Sequence, residues 1–118
     1  MKPLFKVCAV AKDEGPYLAE WIFHHLHFGF DLIHVYINRT SDSSVAVLER
    51  IGQSYPQVTF EFIDWIDLCD PGVSAKLQTV AYAKELEQSR QQGVGWLLFL
   101  DVDEFWTPND FATPVDRF

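Results

Sequence analysis

The chain has 118 residues, 48% hydrophobic and 22% charged, proportions that fit one folded domain and exclude a disordered or low-complexity chain. Nine Lys and Arg stand against 17 Asp and Glu, a formal charge of -8 at pH 7. That balance excludes general nucleic-acid binding and docking on an anionic membrane through a basic patch. If the protein handles phosphates, composition does not supply the positive charge.

No apolar run approaches the roughly 20 residues that cross a bilayer. Met1–Val10 lacks the basic start, long apolar stretch and small-residue cleavage site of a signal peptide. Cys8 and Cys69 both lie in apolar surroundings, as buried free thiols do in a reducing compartment. A cytoplasmic protein is expected.

Leu4–Ala11 is a nearly continuous apolar run whose single charge is Lys6, the pattern of a strand buried on both faces. Lys12-Asp13-Glu14-Gly15 breaks it, and Pro16 suits the first turn of a helix. From Tyr17 to Phe28 the residues Leu18, Trp21, Ile22 and Leu26 recur at helical spacing, and Gly29 ends the helix. Leu32–Ile37 predicts a second strand. The polar loop Asn38–Ser44 follows, then a helix with Val45, Leu48 and Ile51 as its stripe. Val58–Ile63 predicts a third strand. Asp70-Pro71-Gly72 leads to a helix near Ser74–Gln91, with Leu77, Val80, Ala81 and Leu86 inward. Gly93 and Gly95 close it, and Trp96–Leu100 predicts the fourth strand.

Short apolar strands joined by helices imply right-handed crossovers and an α/β, Rossmann-like, mostly parallel sheet with helices on both faces. In such sheets ligands bind at the carboxyl ends of the strands. This nominates Lys12–Gly15, Asn38–Ser44 and the segment after Leu100. That last segment reads Asp101-Val102-Asp103-Glu104-Phe105-Trp106. On an extended chain Asp101 and Asp103 point to one side and Val102 to the other. Two carboxylates held together repel unless a cation lies between them, and oxygen-only ligands favour Mg²⁺ or Mn²⁺. The alternative is a solvated acidic turn, with Glu104 facing solvent or capping it.

His24, His25 and His27 form a cluster on the first helix. No third metal ligand stands at suitable spacing, so a structural or surface role is expected. Trp21, Trp65, Trp96 and most of the ten Phe read as core, while Trp106 is a candidate lid over a ligand. Neither Cys has electropositive neighbours to activate it, and there is no phosphate-cradling G-x-x-x-x-G-K motif.

Three segments together resemble the family-2-like glycosyltransferases of bacteria. AKDEGPYLAEWIFHHLHFGF is similar to that family's K-N-E-x-x-x-x-x-E-W-x-x-x-H-x-x-x-G opening. YINRTSDSS resembles its second loop, and WLLFLDVDEF its D-x-D strand. The resemblance covers Ala11–Phe105 and implies a GT-A fold, of which this chain is the nucleotide-sugar-binding half. It implies that Asp101 contacts the ribose or hydrated metal and that Asp103 coordinates Mn²⁺ or Mg²⁺. It further implies that Lys12, Asp13 and Glu14 lie beside the nucleotide, that Asn38 and Asp42 help hold the base, and that Lys76 and Gln78 stand near the diphosphate.

The implied partners are a nucleotide-sugar donor, with UDP expected, and a glycan or other hydroxyl acceptor. The sequence departs from the family at Asp13, at Ile37, where many relatives have an Asp that reads uracil, and at Arg39. Residues 1–118 are read as a single domain lacking the acceptor-binding half and the general base, either a fragment or a half that needs a partner subunit. Two alternatives stand beside this reading. One is a non-catalytic nucleotide-binding half-domain. The other is a haloacid-dehalogenase-like phosphatase, whose motif normally lies on the first strand.

Overall fold

The structure, a computed structural model, describes residues 3–38, 42–63 and 76–117, without the side chain of residue 78. Strands β1 (Leu4–Ala11), β2 (Leu32–Ile37), β3 (Val58–Phe62) and β4 (Val94–Phe99) form one sheet in the order β3-β2-β1-β4. Every strand pair is parallel. Helices α1 (Gly15–His27), α2 (Ser44–Ser54) and α3 (Leu77–Gln92) accompany the strands, and a short 3₁₀ turn spans Val115–Arg117. This is the α/β, Rossmann-like arrangement expected from the alternation of strands and helices.

The period of two along the strands sorts side chains between two unlike faces. Val7, Ala9 and Ala11 of β1 and Ile33, Val35 and Ile37 of β2 face α1 and α2. There they meet Leu18, Trp21, Ile22, Leu48 and Ile51 in one apolar core. Each Val, Leu or Ile among them contributes about 1.5–3 kcal/mol on full burial. The intervening residues Lys6, Cys8 and Val10 of β1, with His34 and Tyr36 of β2, face α3. Lys6 Nζ stands 2.6 Å from Glu85 Oε1, the two side chains being 2% and 0% exposed. The same ammonium donates to Gln92 Oε1 at 2.8 Å, and the Tyr36 hydroxyl donates to Glu85 Oε2 at 3.4 Å.

That polar interface corrects the expected inner stripe of the third helix at Leu86, while Ala81 is buried and Leu77 packs beside it as expected. Leu86 is 57% exposed, and the buried positions are Ala81, Glu85 and Ser89, at i, i+4 and i+8. A buried Lys6 on the strand demands a carboxylate opposite it, and Glu85 sets the rotation of α3. The left-handed Gly93 (φ 76°) then ends α3, its N–H donating to the Arg90 carbonyl at 3.3 Å.

Two further expectations change at β4. The strand runs Val94–Phe99 rather than Trp96–Leu100. Trp96 is 64% exposed instead of core, because β4 is an edge strand; its ring stacks on Phe5 at 6.2 Å. The expected third strand ends one residue early, at Phe62, and Ile63 is buried just beyond it. Cys8 is a buried free thiol whose pKa is pushed up by burial and by Glu85. Cys69, Trp65, Arg39, Ser74 and the Asp70-Pro71-Gly72 loop lie outside the described residues.

Candidate acidic site at the carboxyl edge of the sheet

From β1 the sheet grows through β2 and β3 on one side, while β4 lies on the other. The order of strands therefore reverses between β1 and β4, and their carboxyl ends flank the crevice where open α/β sheets hold ligands. Asp101–Glu104 lies at the β4 side of that crevice. Pairing fades after the Leu100 N–H, which donates to the Cys8 carbonyl at 3.0 Å. The chain then turns, and the Glu104 N–H donates to the Asp101 carbonyl at 2.9 Å. Val102 is fully buried in the core, whereas Asp101 and Asp103 are exposed. Val102 thus faces away from the two exposed aspartates as expected, but a turn does this rather than the alternation of an extended strand. Glu104 does cap the turn, its Oε1 accepting the Asp101 N–H at 2.9 Å.

The β1 side of the crevice supplies Lys12, Asp13 and Glu14. Lys12 and Asp13 are exposed. Asp13 has φ 52°, a left-handed conformation that Asp and Asn adopt more readily than most residues. Glu14 is half-buried at the cap of α1, where its carbonyl accepts the N–H groups of Tyr17 (3.0 Å) and Leu18 (3.2 Å). Burial, and the charges of Asp103, Asp101 and Asp42, hold its carboxyl above the usual range against a hydrogen bond from the Lys12 backbone. Glu14, Asp101, Asp103 and Asp42 thus share one negative field.

Asp42 is already fully engaged. Its Oδ2 accepts the Gly15 N–H at 2.9 Å, and its Oδ1 accepts the Ser44 N–H at 2.9 Å and the Ser44 hydroxyl at 2.5 Å. These bonds, that of the Ser44 hydroxyl foremost, hold its carboxyl below the usual range and tie the first turn of α1 to that of α2. Gly15 makes the approach possible, since a Cβ there would stand 2.9 Å from Ser43 Oγ.

Asn38 is 8% exposed just past β2, and its Oδ1 finds no hydrogen-bond partner among the described residues. An orphaned buried acceptor at the carboxyl edge fits a donor supplied by a ligand. Lys76 is exposed at the cap of α3, and Gln78 lies in the first turn of that helix, its side chain outside the described residues.

Sequence reasoning missed Tyr82. It stands on α3 with its ring 4.0 Å from that of Phe99, and burial, then the charge of Asp101, raises its phenol pKa. The expected stripe of Leu77, Val80, Ala81 and Leu86 left it out, and its contact with Phe99 joins elements that sequence spacing does not connect.

The histidine cluster proves to be a backbone clamp on the segment after the acidic turn. His25 is fully buried, its Nδ1–H donating to the Trp21 carbonyl at 2.8 Å and its Nε2 accepting the Trp106 N–H at 3.1 Å. Burial lowers its pKa to about 4, so the ring is neutral. His24 Nε2–H donates to the Trp106 carbonyl at 2.7 Å, and Trp21 Nε1–H donates to the Glu104 carbonyl at 2.9 Å. His27 is exposed against Phe28. The Trp106 ring packs 5.9 Å from both Phe28 and Phe30, at the rim of the core. Among the described residues, no three His, Cys, Asp or Glu side chains converge as a metal cage.

A parallel sheet in this order, with a turn of acidic residues at its switch point, defines a Rossmann-like α/β protein. The family model of glycosyltransferase family 92 matches residues 7–118, and the chain belongs to that family. The resemblance to family-2-like enzymes thus reached the right class of enzyme, and the family matched is 92.

Similar proteins include family 92 glycosyltransferases of Arabidopsis thaliana (28% identical over 100 residues), Oryza sativa subsp. japonica (27% over 99) and Ricinus communis (24% over 100). The matches cover 85%, 84% and 85% of this chain but 16%, 15% and 16% of those proteins. The chain therefore spans about one-sixth of the length of the curated relatives it matches. No solved structure matches it significantly. Among the described residues, no helix is long and apolar enough to cross a membrane.

Proposed function

We propose that the chain is the donor-binding portion of a glycosyltransferase that moves a sugar from a nucleoside-diphosphate donor to an acceptor hydroxyl. The observation that supports it is the turn carrying Asp101 and Asp103 at the switch point, in a chain of a glycosyltransferase family. The phosphatase alternative has no support in such a family.

The donor set fits a hard divalent ion: two exposed carboxylates supply oxygen only, and their charge already reaches Glu14. Mn²⁺ or Mg²⁺, when bound, supplies the positive charge that the composition lacks, beside the diphosphate. Asp103 is assigned to the cation and Asp101 to the cation or ribose. Among the described residues no third His, Cys, Asp or Glu joins the pair, so water and phosphate oxygens would complete the coordination. Lys12 and Lys76, both exposed at the carboxyl edge, are assigned to the phosphates, with Gln78 beside them. The orphaned Asn38 Oδ1 is assigned to a donor on the base. Asp13 and Glu14 line the crevice, and Asp42 serves it indirectly by fixing α1 against α2.

Calorimetric titration with UDP and Mn²⁺ tests the reading. Metal-dependent binding that Asp103→Ala abolishes supports it; no metal-dependent binding, or binding unchanged in Asp103→Ala, overturns it. Hydrolysis of a UDP-sugar distinguishes an enzyme from a binding module, since the latter binds without turnover.

A further inference from the structure

We propose that α1 is the positioning element of the acidic turn: Trp21, His24 and His25 hold the backbone of Glu104 and Trp106 and thereby fix where the Asp101 and Asp103 carboxylates stand. This rests on the reading of those two residues as a divalent-cation site. Three side chains of one helix reach the same segment, across 83, 82 and 81 residues of sequence. Apolar packing alone holds a segment against a core without fixing its rotation, whereas directed hydrogen bonds at 2.9, 2.7 and 3.1 Å fix it.

His25 makes the point most sharply. A Phe would fill the same apolar space, yet the position holds an imidazole that is fully buried and uses both ring nitrogens. Burying that polar ring is costly unless its bonds are made, so its hydrogen bonds are what the ring adds. From Trp106 and Glu104 the constraint runs back into the turn, where Glu104 holds the Asp101 N–H and Val102 is anchored in the core. The same helix starts at Glu14, so α1 ties the two sides of the crevice together.

Trp21→Phe keeps a ring and removes one hydrogen bond, His25→Phe keeps a ring and removes two, and His25→Gln restores an acceptor near Nε2. Mn²⁺ affinity of the full chain is read from the electron paramagnetic resonance signal of free Mn²⁺, without nucleotide. The temperature is one at which circular dichroism shows every variant folded. The proposal expects about tenfold weaker Mn²⁺ binding in Trp21→Phe and His25→Phe, with His25→Gln within about threefold of the wild type. Amide hydrogen exchange at Asp101 and Trp106 should quicken in the two weakened variants. His24→Phe, at a half-buried position, supplies the same comparison if a buried variant fails to fold.

Wild-type Mn²⁺ affinity in the folded variants, with only a lower melting temperature, overturns the positioning role and leaves the cation site standing. A wild-type chain that binds no Mn²⁺ overturns both.

Discussion

Lys6 on β1 and Glu85 on α3 meet at 2.6 Å with their side chains 2% and 0% exposed, so one ion pair lies wholly between sheet and helix. Taking two charges out of water is costly, and the geometry must return that cost through mutual attraction and further hydrogen bonds. Gln92 and Tyr36 supply them. Lys6→Met leaves Glu85 buried without its cation and should cost about 3–5 kcal/mol in urea denaturation. The double variant Lys6→Met/Glu85→Leu should recover most of that loss. Equal destabilisation in the single and double variants would show that the pairing itself is not what matters.

Asp42 joins the starts of α1 and α2 through Gly15 and Ser44. Asp42→Ala should lower the melting temperature, and Asp42→Asn should do so less, since its amide keeps one acceptor oxygen. The depressed pKa of Asp42 means that its contribution is present above the unfolded value of 3.8 and fades as pH falls through its lower folded value. Thermal melts from pH 6 to pH 2 should show Asp42→Ala converging on the wild type at the acid end.

His25 has the opposite chemistry and a different window. Folded, it stays neutral down to about pH 4, whereas the unfolded residue takes a proton near 6.5. The unfolded state holds more protons between those values, so stability should rise with pH across that window and be lost as pH drops from 6.5 to about 4, by roughly 3 kcal/mol from this residue. In His25→Gln the same stretch of the pH–stability curve should be visibly flatter. An unchanged slope would place the proton uptake elsewhere.

Glu14 carries a raised pKa, so its contribution to stability is present below its unfolded value of 4.5 and is lost as pH rises through the higher folded value. At pH 7 its charge faces Asp101, Asp103 and Asp42, and Glu14→Gln should raise the metal-free melting temperature slightly, since solvent screens a group at this depth. Saturating Mn²⁺ should remove that advantage, because a bound cation offsets the repulsion that the substitution relieves. Stabilisation by Mn²⁺ at about 100 times its Kd should approach 2.7 kcal/mol in the wild type.

Much of the fold was legible because the local signals agreed with one another. β1 and β2 carry continuous apolar runs with distinct breakers after them, and both occupy the residues their sequence predicts. The face of α3 toward the sheet was legible only in part: Ala81 and Leu77 turn inward as expected, but Glu85 and Ser89 were not foreseen. Its buried positions are Ala81, Glu85 and Ser89, a stripe that no hydrophobic period can reveal, because its partner is a buried lysine on another element. Trp96 misled for a related reason: an apolar run marks a strand, while its place at a sheet edge is a property of topology.

The sequence by itself determined the α/β alternation, the acidic pair after the fourth strand and the class of enzyme its motifs resemble. Each is written in neighbouring residues, where period, breaker and spacing act locally. Only the tertiary structure decided that Asp101 and Asp103 sit on a turn, that Asp42 is occupied with two helix starts and that the histidines grip a backbone some 80 residues away. Those are relations between distant segments. Hydrogen-bond direction and burial fix them only once the core around Trp21 and Val102 has closed.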